Sequence, residues 1–196
     1  MHTSSRFDCA IKKFDQKNQQ DPNKESQDGQ PYPKELLYAQ RMTNWLLKIA
    51  PEASEALQLA ARSQHIGRWT ISRDSYPMDR KGYLRWRTDL KMFHAKTAGE
   101  IMAECGYEEL DIERVQSLIK KQRMKSDPES QTLEDVVCLV FLNFYFKDFA
   151  AKHQHEKVVQ ILKKTWNKMS NHGQQQVATI ELDKVSNELI QKALNT

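Results

Sequence analysis

Glycine and proline are scarce, six of each in 196 residues, which argues against a turn-dense all-β fold and for long uninterrupted helices. Cysteine is scarcer still. Cys9, Cys105 and Cys138 form no CxxC pair and are odd in number, so neither a secreted disulfide framework nor a structural zinc site is expected. Long hydrophobic runs are missing as well: the longest, Val136 to Phe146, has 11 residues and contains Asn143, short of the roughly 20 that a membrane span needs. The first residues, up to Asp15, carry Asp8, Lys12 and Lys13 and no apolar core of a leader, so no signal peptide is expected. These absences predict a soluble, cytoplasmic chain with no membrane partner. Its length predicts one domain over residues 1–196, large enough to bury a core without metal or disulfide staples.

What is present is unevenly distributed. The formal net charge is +4, yet the segment Arg62–Lys96 holds nine Lys or Arg against three Asp and carries +6, so the rest sums to −2. A protein that grips a duplex without specificity spreads basic excess over a face. A single basic segment points to a compact anion instead.

Apolar spacing predicts an all-α fold. An N-terminal amphipathic helix over residues 6–20 uses Phe7, Ala10, Ile11 and Phe14, and a polar linker over 21–33 follows. Five core segments occupy 34–150: Lys34–Ile49, Glu52–Ile66 closed by Gly67, Asp79–Cys105 closed by Gly106, Asp111–Arg123, and a segment opened by Thr132 as N-cap. The last is apolar almost all round through Phe146, which predicts the central helix. C-terminal helices over 151–196, about Gln154–Met169 and Glu181–Ala193, complete the chain. No internal repeat and no Gly-rich phosphate loop is found.

Three potential metal ligands lie on inward positions of three of these helices. His65 follows Leu57 and Ala61 at helical spacing, His94 lies between Leu90 and Ala98, and Asp135 opens the central helix. Imidazole with carboxylate suits a divalent ion such as Mn, Fe, Ni or Zn. Each residue also has a plain structural reading: an inward His is commonly a hydrogen-bonded core residue, and Asp135 at N3 complements the helix dipole. Cys105 and Cys138 read as core thiols, and His153, His155 and His172 as exposed.

Between the two histidines, cations alternate with aromatics: Arg68, Trp69, Arg73, Tyr76, Arg80, Lys81, Tyr83, Arg85, Trp86 and Arg87. Arginine makes bidentate contacts to phosphate, and an aromatic face stacks on a base or a guanidinium. The structural alternative is a solvated face whose arginines pair with Asp74, Asp79 and Asp89 and whose tryptophans anchor the core.

The stretches Leu59–Gly67, His94–Tyr107 and Leu133-Glu134-Asp135 resemble the HD-domain superfamily of metal-dependent phosphohydrolases, over about Lys34–Phe149. The resemblance implies a five-helix core, a metal held by His65, His94 and Asp135, and Glu134 or Asp135 assisting proton transfer. Two positions depart from it, since Ile66 replaces the dyad Asp and Tyr38 stands where the first His belongs. The whole chain, notably Phe14–Asn18 with Asp21-Pro22-Asn23, Tyr76–Arg80 and Gly82–Arg87, also resembles an uncharacterised family known only as a domain of unknown function.

The expectation is therefore an all-α, HD-like domain acting as a metal-dependent phosphohydrolase on a nucleotide or related phosphate ester. In that reading Arg68, Arg80, Arg85, Arg87, Trp69 and Tyr76 bind substrate. The alternative is a non-catalytic nucleotide- or RNA-binding module that uses the same basic segment.

Overall fold

The computed structural model describes residues 5–122 and 126–194. Its fold is all-α, with one small two-stranded sheet. Among the described residues no helix is long and apolar enough to cross a membrane. The chain forms two compact units, one drawn from within residues 1–44 and 52–123, the other from within 45–51 and 124–196.

The first unit opens with α1, Arg6–Asn18, capped by Ser5, whose Oγ accepts from the Asp8 N–H at 3.1 Å. Ala10 and Phe14 are fully buried, as their spacing predicts. The polar segment 21–33, expected as a linker, folds instead into an antiparallel hairpin, β1 Lys24–Gln27 with β2 Gln30–Pro33. Its cause is Asp28-Gly29, both at positive φ, 52° and 76°, the two-residue turn whose twist matches that of the strands. Arg41 of α2 forms an ion pair with Glu25 of β1.

α2 spans Lys34–Ile49, the expected bounds. α3 is shorter than the spacing suggests, Glu55–Ser63, because Ser54 caps it by accepting from the Leu57 N–H at 3.1 Å. α4, Arg80–Glu104, is capped by Asp79, which accepts from the Gly82 N–H at 2.6 Å. α5 runs Glu109–Ile119, and the expected end at Arg123 lies outside the described residues. α5 packs on α3 and α4, and α1 lies against the same pair. Leu59, Leu90, Met102 and Leu118 fill the space at 2% exposure or less. α1 is also joined to the end of α4 by a disulfide, Cys9–Cys105. This corrects the reading of Cys105 as a core thiol, because a separation of 96 residues carries no pairing signal in the sequence.

The second unit is built on α6, Pro128–Val140, whose N-cap is Asp127 with Pro128 at the first helical position. The Asp-Pro pair therefore starts the helix, since proline's fixed φ suits that position. Thr132, expected as the cap, sits a turn inside and donates its hydroxyl to the Pro128 carbonyl at 3.0 Å. A π-helical turn at Phe141–Tyr145 leads into α7, Phe146–Ala151. Then come α8, His155–Trp166; α9, Asn171–Gln176; and α10, Lys184–Leu194. α10 packs on α8 and α7, and α9 on α6. Leu133, Val136, Leu139 and Val140 are at most 1% exposed, so α6 has the buried character that its sequence predicts.

Candidate functional site

The turn after α3 positions the residues singled out by the sequence in the first unit. Gly67 takes φ +64°, which favours glycine, and a Cβ there would also sit tightly, 3.1 Å from the Phe93 ring. Its N–H is received by the α1 side chain Asn18 Oδ1 at 3.0 Å, and the Arg68 N–H bonds back to the His65 carbonyl at 3.1 Å. Ile66 is driven into the core with no exposure, which sets His65 and Arg68 on either side of it.

His65 stacks on Tyr38 of α2, ring centroids 4.1 Å apart and planes 13° apart. The resemblance places Tyr38 where an HD domain has its first ligand, and that position does adjoin His65. His65 Nδ1 lies 3.3 Å from Glu35 Oε2, and Arg68 Nε lies 3.7 Å from Glu35 Oε1. The Arg68 guanidinium stands 4.8 Å over the Trp86 ring, whose Nε1–H donates to the Ile71 carbonyl at 2.9 Å. His94, on α4, is 2% exposed and 5.8 Å from His65, centroid to centroid.

Hydrogen bonding assigns the state of His94. A carbonyl only accepts, so Nδ1 carries the proton it gives to the Ile66 carbonyl at 2.8 Å. Nε2 is then a lone pair, buried and with no hydrogen-bond partner. Burial, followed by the neighbouring His65, pushes the His94 pKa down to about 3, against the bond to Ile66. Burial also holds His65 well below the ordinary histidine range, reinforced by Arg68, Arg87, Lys121 and Lys34. Glu35 moves the other way, raised to about 7 by burial, with Arg68 and Lys34 opposing the rise. The surroundings of His65 are thus strongly cationic, with Glu35 as the carboxyl in contact.

The rest of the basic segment divides by role. Arg62, nominally its first member, is engaged by Asp15 of α1 through two bonds of 2.8 and 2.7 Å. Arg87 is half-buried and acts on His65 and Arg68 electrostatically. Trp69 is half-buried. Tyr76 donates its hydroxyl to Asp89 at 2.9 Å, and Arg85, 78% exposed, reaches the same carboxylate at 3.9 Å. Arg80 is exposed on the first turn of α4. Arg68 and Arg87 therefore gather at His65, while Arg80 and Arg85 present a solvated helix face. Glu35 is the participant that sequence reasoning missed. An acid in the first turn of a helix is ordinary dipole chemistry, and no local signal distinguishes this one.

Glu134 and Asp135 lie in the second unit. Asp135 is not at N3, because α6 begins at Pro128. Its Oδ1 accepts from the Ser170 N–H at 2.8 Å and from Gln131 Nε2 at 3.0 Å, and its Oδ2 accepts from the Ser170 hydroxyl. Ser170 caps α9 by accepting from the Gly173 N–H at 3.1 Å, and a Cβ on Gly173 would meet Asp135 Cγ at 2.6 Å. Asp135 thus anchors the start of α9 with both oxygens engaged. Glu134, 5% exposed, faces Lys168 at 3.7 Å. Among the described residues no group of three or more His, Cys, Asp or Glu side chains is arranged to hold a metal ion. Asp135, expected from the sequence as a metal ligand, has both carboxylate oxygens engaged by Ser170 and Gln131.

No curated protein and no solved structure matches the chain. Residues 8–190 match a family described as a domain of unknown function (DUF4202). The match covers nearly all of the helical body just described, and the chain belongs to that family.

Proposed function

We propose that this protein binds a small phosphorylated ligand, a nucleotide or a related phosphate ester, at the cationic cluster around His65. The observation that carries the reading is Arg68. Its side chain is 23% exposed, with the guanidinium over Trp86 and beside Glu35. An arginine held over an indole has already lost some of its rotamer freedom, so less is lost when it forks onto phosphate oxygens. Arg87, Lys34 and Lys121 add positive potential at the same place. Partial burial strengthens Arg68, Arg87 and Lys121 relative to the exposed Arg80 and Arg85.

The finer likeness to HD-domain phosphohydrolases has the neighbouring rings of His65 and His94 in its favour and the engaged Asp135 against it. We therefore take the non-catalytic reading, binding without metal-dependent hydrolysis. Titration of adenosine 5′-monophosphate tests it. Wild-type affinity is expected to fall as salt rises and to drop about tenfold or more in Arg68→Ala. Equal affinity in wild type and Arg68→Ala removes the reading. Phosphate release that requires added Mn, Fe, Ni or Zn ions returns the protein to the hydrolase class. A single-stranded RNA oligomer that binds far more tightly than the mononucleotide replaces the small ligand with RNA.

A further inference from the structure

Two hydrogen-bond acceptors stand inside the cationic cluster, where a site made only for an anion has no use for them. Glu35 is 6% exposed, yet its carboxyl meets no donor at the roughly 2.7–2.9 Å of a charge-assisted bond. Arg68 Nε stands at 3.7 Å and His65 Nδ1 at 3.3 Å. His94 Nε2 is a buried lone pair with no hydrogen-bond partner. The helix terminus does not explain Glu35, because Asp21 Oδ2 already accepts the Glu35 N–H at 3.0 Å. Glu35 thus stands beside a guanidinium and an imidazole without a short bond to either, a gap that a donor from a ligand would fill.

We infer that Glu35 receives hydroxyl donors of the ligand, so that the site selects a phosphate ester whose carbon skeleton carries hydroxyls, a sugar phosphate or ribonucleotide. The inference rests on the anion site proposed above and names its substrate class. A carboxylate accepts at both oxygens and a guanidinium donates from a planar fork, so Glu35 and Arg68 side by side match a molecule with hydroxyl and phosphate close together. A site built to bond a hydroxyl rejects the analogue lacking it, because its own polar groups are then left unpaired. Sulfate offers no donor and meets Glu35 only as a like charge.

Calorimetric titration with ribose 5-phosphate, 2-deoxyribose 5-phosphate and sulfate tests this in wild type, Glu35→Gln and Glu35→Ala. The ribose ester is expected to bind wild type at least about tenfold more tightly than sulfate, and several-fold more tightly than the deoxy ester. In Glu35→Ala both ratios are expected to fall toward one while sulfate tightens. Glu35→Gln, which keeps one carbonyl oxygen, is expected to recover part of the preference. Ratios unchanged in both variants overturn the role of Glu35. So does a wild-type protein that takes all three probes equally, and in that case the anion site itself still stands. Failure of every probe to bind removes the site and the inference together.

Discussion

Each unit of the molecule buries a carboxylic acid, and the two acids have opposite surroundings. Asp135 in the second unit has donors on both oxygens and fixes the start of α9. Glu35 in the first unit has a guanidinium and an imidazole nearby but not in close hydrogen-bond contact, and a pKa raised to about 7. A fully satisfied buried polar group serves architecture. A buried polar group kept short of partners costs stability, and that cost marks a place where something else is meant to bind. Asp135 was expected from the sequence as a site residue and Glu35 was not.

Three substitutions press on this contrast. The largest effect is expected from Asp135→Ala, which strips the Ser170 N–H and hydroxyl of their acceptor and should destabilise the fold by about 4 kcal/mol. Urea unfolding measures it, and a loss below about 1 kcal/mol would show that the α9 anchor lies elsewhere. Next comes Glu35→Gln, whose effect depends on pH. The raised pKa means that the folded protein holds a proton on Glu35 that the unfolded chain gives up above pH 4.5, so the Glu35 contribution to stability falls as pH climbs from 4.5 to about 7 and then levels off. The glutamine variant lacks that loss. Its stability relative to wild type should therefore rise across the window by up to about 3 kcal/mol. A difference that stays flat with pH would mean that Glu35 ionises as an ordinary exposed acid. The smallest effect belongs to Arg85→Ala: with a side chain 78% exposed and an ion pair at 3.9 Å, it should change stability by under about 0.5 kcal/mol. Nucleotide affinity should also stay within about twofold, in contrast to Arg68→Ala. A large loss of affinity would move the anion site out along α4.

Much of the frame was legible beforehand. α2 kept its expected bounds, α4 ran from its Asp79 cap to the glycine stop, and the apolar face of α3 was buried residue for residue. In α4 the Asp79 cap and the Gly106 stop mark the bounds, and in α3 and α2 the apolar residues recur on one face. The hairpin was not legible because Lys24–Gln27 and Gln30–Pro33 lack alternating apolar residues, which leaves only the Asp28-Gly29 turn as a signal. Asp127-Pro128 is equally at home stopping a chain or starting a helix, and the expected cap Thr132 lies five residues after the actual cap Asp127. That shift put Asp135 in a capping position it does not occupy. At the site, the grouping of His65, His94 and Arg68 followed from their helical positions. The addition of Glu35 required the tertiary contact between the start of α2 and the turn after α3, and no spacing rule contains that contact.

α1 is synthesised before the elements it packs on, and its partners come much later in the chain. Asp15 waits for Arg62, Asn18 for Gly67 and Lys13 for Glu104, separations of 47, 49 and 91 residues. Closing such loops loses chain entropy before any contact compensates it, which makes them late and slow steps. The Gly67 turn is held by one of these closures, so the surroundings of His65 mature only once α1 has docked. During synthesis from the N-terminus, α1 remains an unpaired amphipathic helix until α3 and α4 have emerged, and its apolar face is exposed to other chains throughout that interval.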